Sequence, residues 1–510
     1  MYTLGDVSRK GFAVHQNKTA MVFEGTRITY GELNECVNRL ANTLISLGLK
    51  KGGRVTILAE NTYKYIEVYF GAAKAGLSVT PLNFRLSDKE LIHIVNDCEA
   101  TVLFAGNGLE DRTLDMKGNL TGIRRFISLD NKKDGFLFYE DLLNGASDVD
   151  PLIEVDENDM AILMYTGGTT GLPKGVMLSH RNLFTGHLSL IIGYSFTRND
   201  TTCFSLPMFH VAVWPVICLL MMGGNSVILR RPDVGEILKA VQNEKCSHLL
   251  LVPTVLQWLI DDPRTKEYDL SSLRTITYAG SPMPLEVLKR CMDKFGPILA
   301  QGYGLTEAAP FVTVHFSDDH ILEGPRSRLL ASVGKAGFCV EARVVDEDDH
   351  TLPPGEVGEI CVRGRNVMMG YWKNPDLTAK TLRGGWLHTG DIGMIDDEGY
   401  IFLKDRKADM IITGGENVYP KETEDVLYIH PAVRECAVVA VPDKKWGERV
   451  HAVIVLKDGF KVTADELIKH CKDRLAGYKC PKSIDFWPDL PKTSIGKIIR
   501  RDVKKHYWNQ

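Results

Sequence analysis

The sequence has no apolar run long enough to cross a bilayer. The longest run, VAVWPVICLLMM, extends from Val211 to Met222 and contains Pro215, whereas a transmembrane helix needs about 20 apolar residues. The N-terminal stretch MYTLGDVSRKGF also lacks the apolar centre of a secretory signal peptide. These absences predict a cytoplasmic protein without a membrane span.

The sequence has no CxxC pair and no cysteine spacing typical of metal ligands. Its 11 cysteines are scattered from Cys36 to Cys480, a distribution that indicates reduced thiols. We therefore expect neither a disulfide framework nor a structural zinc site.

A strong charge of either sign is also missing. The chain has 61 Lys and Arg against 65 Asp and Glu, which gives a net charge of −4 and argues against nucleic-acid binding. From Lys461 onward basic residues outnumber acidic ones. Solvated helix faces explain such a bias more often than a phosphate ligand does.

What the sequence does contain is alternating helix and strand patterns over a length that exceeds one hydrophobic core. Its 510 residues predict two or more domains. The stretch TYGELNECVNRLANTLISLG has helical periodicity, with a capping box at Thr29 and Glu32 and a stop at Gly48. Short apolar strands such as RVTILAE and SHLLLVP recur between helical segments. An α/β fold with largely parallel sheets is expected.

The pattern changes in the last third of the chain. After about residue 330, short strands separated by Gly, Pro and Asp turns indicate a β-rich subdomain, and a compact α/β tail begins near Asp405. We predict an N-terminal domain over residues 1–404 and a C-terminal domain over residues 405–510.

The stretch YTGGTTGLPKGV, residues 165–176, has the composition of a phosphate-binding loop. It is not a Walker loop, because Pro173 stands where glycine precedes the lysine and Gly175 where serine or threonine follows it. A second apolar run, VMLSH, follows instead of a helix. Glycines permit close backbone approach, and threonines and lysine offer donors and charge to anionic oxygens. The candidate residues are Thr166, Gly167, Gly168, Thr169, Thr170 and Lys174; the competing interpretation is a flexible turn between strands.

This loop resembles the phosphate loop of the adenylate-forming superfamily, which includes the acyl-CoA synthetases. The other motifs of that family follow in the family's order. They are FSLPMFHV (204–211), YAGSPMP (278–284), QGYGLTE (301–307), GEICVRGRNVMMGYW (358–372), WLHTGD (386–391), DRKADMIITGGENVYP (405–420) and PKTSIGKIIR (491–500). The resemblance spans nearly the whole chain. It implies a large N-terminal body of stacked α/β sheets with a β-rich subdomain, and a small mobile α+β C-terminal domain.

The resemblance also implies a two-step reaction that uses ATP, Mg²⁺ and coenzyme A. A carboxylate attacks the α-phosphate of ATP to give acyl-AMP and pyrophosphate, and a thiol then takes the acyl group. The steps are reversible, so the physiological direction stays open, as does the oligomeric state, for which a homodimer is one candidate. The implied partners are a small carboxylic acid, ATP and CoA.

Several residues of these motifs match the family's nucleotide site. Tyr303 would stack on adenine, Thr306 would bond an α-phosphate oxygen, and Glu307 would hold Mg²⁺, a hard cation that prefers oxygen ligands. Asp391 would accept the ribose hydroxyls, and Arg406 would contact ribose and phosphate. The remaining implied contacts are Ala279, Gly280 and Ser281 beside the adenine, and Gln301, Gly302 and Gly304 around Tyr303.

Lys497 resembles the lysine that bridges the substrate carboxylate and the α-phosphate during adenylation, where an ammonium stabilises developing negative charge. The family rotates its C-terminal domain between the two steps at a residue that is Ala408 here. Aspartate or lysine is more usual at that position. Alanine is workable because a hinge needs a tolerant backbone and not a charge.

The predicted CoA contacts are Gly414 and Gly415, which would let the pantetheine arm pass, and Tyr478 and Lys482, which would meet the CoA nucleotide. Tyr478 also fits an ordinary packing residue. Cys480 stands where some CoA ligases have arginine, so the phosphate contacts would be fewer or would come from elsewhere, such as Lys479.

His210 resembles the gate beside the acyl carboxylate, although a histidine after an apolar run also fits a core residue. The implied pocket walls are apolar or aromatic: Val211, Trp214, Ala308, Ala309, Pro310 and Phe311. An apolar pocket discriminates weakly between acids. A fatty, cyclic or aromatic carboxylic acid is therefore expected.

Three alternatives to a carboxylate–CoA ligase remain. The chain could be a stand-alone adenylation enzyme that charges a carrier protein, or a luciferase-like oxygenase that acts on the adenylate. It could also be a nucleotide-binding scaffold without catalysis, which the intact Thr306, Glu307, Asp391 and Lys497 argue against. The basic C-terminal segment favours CoA over a carrier protein.

Overall fold

The structure is a computed structural model that describes residues 3–166, 173–210, 213–281, 283–413, 415–443, 445–493 and 497–508. The N-terminal part contains two large sheets joined by one continuous hydrophobic core. Parallel strands are buried on both faces of a sheet, which is why the strand sequences are short continuous apolar runs.

The first sheet has nine strands within the described chain. Its inner strands, from Leu299–Gly304 to Thr19–Phe23, run parallel, and its edges are antiparallel. In spatial order the strands are Lys335–Ala336, Phe311–His315, Leu299–Gly304, Thr275–Ala279, His248–Leu251, Thr201–Phe204, Asn225–Ile228, Thr19–Phe23 and Thr26–Thr29.

The second sheet has eight strands among the described residues, and it is parallel except at the edge that carries the phosphate-loop hairpin. In spatial order they are Gly370–Tyr371, Lys174–Ser179, Met160–Thr166, Ser78–Pro81, Arg54–Leu58, Val102–Ala105, Arg125–Ser128 and Leu137–Phe138.

Helices connect and cover these strands. The helix Tyr30–Ser46 begins at the predicted capping box, in which Thr29 and Glu32 satisfy each other's backbone N–H groups. The α-helices of the N-terminal part are Leu4–Val7, Tyr30–Ser46, Lys64–Lys74, Asp88–Asp97, Glu110–Met116, Tyr139–Asn144, His180–Tyr194, Trp214–Met222, Val234–Glu244, Pro253–Asp261, Leu285–Phe295 and Pro375–Thr381. A π-helix spans Ser8–Phe12, and the 3-10 turns are Lys117–Asn119, Pro263–Lys266, Thr306–Ala308, Ser317–Asp319, Pro325–Ala331 and Arg383–Gly385.

The β-rich subdomain is an antiparallel sheet with four described strands: Val340–Val345, Gly358–Gly364, Leu387–Ile395 and Ile401–Arg406. Its last strand continues through Arg406, two residues past the predicted boundary at residue 404. The domain boundary and the hinge near Ala408 remain predictions.

The C-terminal part is built on a sheet with five described strands: Glu416–Val418, Ile411–Thr413, Gly447–Leu456, Val433–Asp443 and Ser483–Phe486. Its helices are Pro420–Tyr428, Ala464–Lys472 and Arg500–Trp508. Side chains alternate along a strand, so Val438 enters one apolar cluster and Val439 enters another on the opposite face. The sheet is therefore covered on both sides.

The predicted fold class is confirmed by this architecture: a large α/β body, a β-rich subdomain and a small α+β C-terminal unit. Each of the eleven cysteines, all within the described ranges, is a free thiol, as predicted. No helix in those ranges is both long and apolar enough to cross a membrane.

A buried carboxyl group makes the stability of the body sensitive to pH. Glu67 lies on the helix Lys64–Lys74, is 2% exposed, and accepts a hydrogen bond of 2.7 Å from the Tyr139 hydroxyl. Burial raises its pKa from 4.5 to about 7. Because the folded protein keeps this proton after the unfolded chain has released it, the free energy of unfolding falls as pH rises from about 4.5 to about 7.

We predict that Glu67→Gln removes this pH dependence, which amounts to roughly 3 kcal/mol at most. Denaturant unfolding at pH 5 and pH 8 measures it. The exposed Glu35 supplies the control, since Glu35→Gln should keep the wild-type slope. An unchanged slope in Glu67→Gln would contradict the prediction.

Candidate functional site

The centre of the site is the carboxylate of Asp391, which is 5% exposed. Asp391 and Arg406 face each other on the antiparallel strands Leu387–Ile395 and Ile401–Arg406, and Arg406 Nε lies 2.7 Å from Asp391 Oδ1. Tyr303, at the end of a parallel strand, donates its hydroxyl to Asp391 Oδ2 at 2.5 Å. Burial and this carboxylate raise the pKa of Tyr303, and Asp391 raises the pKa of Arg406. The structure thus brings together three residues from three motifs and two sheets.

Directly after Tyr303, the 3-10 turn Thr306–Ala308 presents Glu307. Its Oε1 accepts a hydrogen bond of 2.8 Å from the hydroxyl of Tyr371, and the backbone N–H of Met368 holds its carbonyl oxygen at 2.8 Å. Burial and Glu307 raise the pKa of Tyr371. Tyr371 lies within the motif at residues 358–372. The sequence gives no reason to single it out, because its partner Glu307 lies far away along the chain.

Tyr371 also connects Glu307 to the phosphate loop. Its strand pairs with Lys174–Ser179, and Lys174 Nζ lies 5.8 Å from the centre of the Tyr371 ring. Lys174 pairs across the hairpin with Thr166, so the two residues that flank the loop lie opposite each other. The predicted loop residues Gly167, Gly168, Thr169 and Thr170 lie outside the described residues.

Close contacts explain why the motif QGYGLTE has glycine at positions 302 and 304. A Cβ on Gly304 would lie 1.7 Å from the carbonyl oxygen of Pro310, and one on Gly302 would lie 2.4 Å from the Tyr194 hydroxyl. The following Ala309 has φ 51°, a conformation that non-glycine residues rarely adopt. Only glycine at position 304 allows the returning chain to approach this closely.

The adenine-side residues lie at the neighbouring strand end. Strand Thr275–Ala279 is parallel to Leu299–Gly304, with Ala279 opposite Gly302, and Gly280 continues with φ 89° before Ser281. Gln301 accepts a hydrogen bond of 3.3 Å from the Tyr278 hydroxyl. Carboxyl ends of parallel strands are where open α/β sheets bind ligands.

Lys497, in the C-terminal part, interacts electrostatically with this site. Thr493 N donates to Lys497 O at 2.7 Å, and Lys497 N donates to Thr493 Oγ1 at 3.1 Å. Burial, followed by Arg406, lowers the pKa of the Lys497 ammonium, while Asp391 opposes the change. The ammonium therefore lies within electrostatic range of both residues.

The predicted acyl residues come from two segments of the chain, one around His210 and one at the end of the turn Thr306–Ala308. Ala308, Ala309 and Phe311 are buried, Pro310 is half-buried, and Val211 lies outside the described residues. His210 is half-buried, with its ring 4.7 Å from that of Phe209. Burial and Arg85 lower the pKa of His210 to about 4, so that its imidazole is neutral at pH 7.

Trp214 has a polar neighbour that the sequence did not indicate. The ring centroids of Trp214 and His187 lie 5.4 Å apart in a T-shaped arrangement, and both residues are buried. Trp214 Nε1 and both ring nitrogens of His187 have no hydrogen-bond partner among the described residues. Burial lowers the pKa of His187 to about 3. A lone histidine on an apolar helix carries no pattern that could have predicted this pair.

The predicted CoA residues make their described contacts within the C-terminal part. Tyr478 is 40% exposed, Lys482 Nζ donates to Gly477 O at 2.6 Å, and Gly415 has φ 87°. Lys479 pairs with Glu422, and Cys480 is fully buried in the apolar cluster. Gly414 lies outside the described residues. Cys480 is thus a core residue in this structure.

Among the described residues, no group of three or more His, Cys, Asp or Glu side chains is arranged to hold a metal ion. Glu307 nevertheless fits a substrate-bound Mg²⁺, because its Oε1 is held by Tyr371 while the carboxylate retains acceptor capacity.

The steric role of Gly304 is testable. We predict that Gly304→Ala lowers the free energy of unfolding by roughly 1–3 kcal/mol, because the added methyl meets a backbone oxygen that cannot rotate away. Denaturant unfolding provides the measurement. Gly118→Ala is the control, since a Cβ there meets nothing within 4 Å; equal stability of the two variants would refute the prediction.

Comparisons with known proteins identify the family of the chain. The profile of the AMP-binding enzyme family matches residues 9–372, and that of the AMP-binding enzyme C-terminal domain matches residues 422–497. The feruloyl-CoA synthase of an Amycolatopsis species is 39% identical over 491 residues, 96% of each chain. The long-chain-fatty-acid–CoA ligase of Escherichia coli O157:H7 is 34% identical and covers 98% of this chain and 94% of the relative.

A solved structure extends the likeness to three dimensions. ATP-bound MatB from Rhodopseudomonas palustris superposes with a TM-score of 0.90 at 31% identity, covering 99% of both chains. The resemblance inferred from the motifs is confirmed. The chain belongs to the AMP-binding enzyme family, among its AMP-forming acid–CoA ligases.

Proposed function

We propose that this enzyme activates a carboxylic acid in two half-reactions. In the first, a carboxylate oxygen attacks the α-phosphorus of ATP, which forms acyl-AMP and releases pyrophosphate. In the second, the thiolate sulfur of CoA attacks the acyl carbon, which forms the thioester and releases AMP. The observation that carries the proposal is the buried Asp391 carboxylate, which pairs with Arg406 and accepts the hydroxyl of Tyr303. Lys497, from the C-terminal part, interacts electrostatically with Asp391 and Arg406.

The Asp391 carboxylate has enough hydrogen-bond acceptor capacity to bind the hydroxyls of a nucleotide's ribose. Each of its oxygens already has one protein partner, but a carboxylate oxygen accepts two hydrogen bonds. Two ribose hydroxyls can therefore be accepted without displacing Tyr303 or Arg406. Glu307 would hold Mg²⁺, which neutralises phosphate charge, and Lys174 and Thr166 would contact the phosphates at the ends of the loop.

Lys497 would supply positive charge where the reaction concentrates negative charge. Burial and then Arg406 lower the pKa of Lys497, and an arriving carboxylate and phosphate would oppose this shift because opposite charges favour the ammonium form. A positioned ammonium of this kind stabilises the transition state of adenylation. The thiol transfer requires no such contact.

The acid is proposed to be a fatty, cyclic or aromatic carboxylic acid. Apolar walls support this class, and relatives named for ferulate and for long-chain fatty acids belong to it. The side-chain nitrogens of His187 and Trp214, which lack partners in the part of the chain that the structure describes, further support an acid that carries a neutral polar substituent. A hydroxyl or ether oxygen that reached them would recover hydrogen bonds otherwise left unmade.

We predict that Lys497→Ala slows acid-dependent ATP–pyrophosphate exchange by roughly 10²–10³-fold, because one pre-organised cation is lost. Thioester formation from supplied acyl-AMP and CoA should remain near the wild-type rate. Lys492→Ala is the matched control, since Lys492 lies in the same segment but pairs with Asp489 and Glu435. Equal losses in both half-reactions would contradict the assigned role.

The substrate is tested by a CoA-dependent AMP-release screen over acids that differ by a single hydroxyl. We expect the hydroxylated aromatic acid to exceed its parent in kcat/KM by about tenfold or more, and His187→Phe to abolish that preference. The parent acid is the internal control for folding. AMP release that requires a carrier protein instead of free CoA would refute the proposed second half-reaction.

A further inference from the structure

The strand Ile401–Arg406 ends in two adjacent charged residues that serve different parts of the molecule. Successive side chains of a strand point to opposite faces. Arg406 pairs with Asp391 in the nucleotide site. Asp405 turns the other way, and its side chain is only 2% exposed.

Both oxygens of Asp405 bind groups that follow the predicted hinge. Oδ1 accepts a hydrogen bond of 2.8 Å from Arg500, and Oδ2 accepts one of 2.8 Å from the backbone N–H of Lys421. The Lys421 ammonium also reaches the carbonyl of Leu403 at 3.4 Å. A buried carboxylate with these partners ties the last strand of the body to the helix Pro420–Tyr428 and to Arg500.

Arg500 binds two further carboxylates. Its Nε lies 2.9 Å from Glu424 Oε1, and its Nη1 lies 3.3 Å from Asp409 Oδ2. Glu424 and Asp409 both follow Ala408, as Arg500 does. Asp405 precedes it. Rotation at Ala408 would therefore carry Arg500, Glu424 and Asp409 together and would separate Arg500 from Asp405.

The same arginine is closely coupled to the candidate catalytic lysine. Lys497 and Arg500 are three residues apart, and the segment between them is anchored by the hydrogen bond from Ile499 N to Pro491 O at 2.8 Å. Holding Arg500 on Asp405 consequently holds Lys497 near Asp391 and Arg406.

We propose that Asp405 is a positioning residue for adenylation: its ion pair with Arg500 holds the C-terminal part in the orientation that delivers Lys497. The inference rests on the two half-reactions proposed above. It also accounts for the uncharged Ala408, because the charge that stabilises this orientation is supplied three residues earlier in the chain. No charged side chain is needed at Ala408, the pivot of the rotation.

The test compares Asp405→Asn with Asp409→Asn. Both remove one carboxylate from Arg500, but only Asp405 lies on the body side of the pivot. Asp405→Asn should slow ATP–pyrophosphate exchange by about tenfold or more, the effect of losing a charge-assisted hydrogen bond. It should leave thioester formation from supplied acyl-AMP unchanged or faster, whereas Asp409→Asn should stay within about twofold of wild type in both assays.

A second measurement does not depend on the chemistry. Trypsin cleavage after Arg406 and Lys407, followed by mass spectrometry, should be faster in Asp405→Asn than in Asp409→Asn, because the released C-terminal part exposes the pivot. If the wild type shows no ATP–pyrophosphate exchange with any acid, the proposed function is refuted. The cleavage rates would still show whether the ion pair between Asp405 and Arg500 holds the C-terminal part.

Equal losses in both half-reactions of a folded Asp405→Asn, or unchanged rates together with unchanged cleavage, would overturn the inference. If Asp405→Asn fails to fold, Arg500→Lys replaces it, since lysine keeps the charge but cannot hold Asp405 and Glu424 in the same fork geometry. Arg500→Lys should likewise slow ATP–pyrophosphate exchange and leave thioester formation unchanged or faster. If it does not, the proposed role of the pair Asp405 and Arg500 is rejected.

Discussion

The site depends on one buried carboxylate with partners from three parts of the chain. Asp391 receives the hydroxyl of Tyr303 from the nine-stranded sheet and the guanidinium of Arg406 from its own sheet, and it lies within electrostatic range of Lys497. A buried charge is costly unless it is paired and hydrogen-bonded. The position of Asp391 therefore constrains how these elements can assemble.

The end of the strand Ile401–Arg406 combines two tasks. Arg406 pairs with Asp391, and both residues precede Ala408, so their contact is independent of any rotation at that residue. Asp405, on the opposite face, contacts groups that follow it. In the proposed two-step chemistry both steps act on one adenylate, and a nucleotide held by Asp391 and Arg406 would stay bound while Lys497 leaves.

Local features were predictable from the sequence, whereas long-range contacts were not. The capping box at Thr29 and the alternating strands follow from residues adjacent in the chain, and the structure contains both. Tyr371, His187 and Asp405 gave no such signal. Their partners Glu307, Trp214 and Arg500 are brought near only by the fold. Motif spacing identified candidate residues but could not reveal how the fold joins them.

The buried His187 and Trp214 bear on the kind of acid the pocket can distinguish. A buried N–H group without a partner costs about 1–3 kcal/mol, so a ligand oxygen that pairs with it gains more than an apolar contact would give. With its pKa lowered to about 3, His187 stays neutral and offers no positive charge to a second carboxylate. In the proposed acyl pocket, a neutral hydroxyl or ether would consequently be favoured over an anionic substituent beside these two residues.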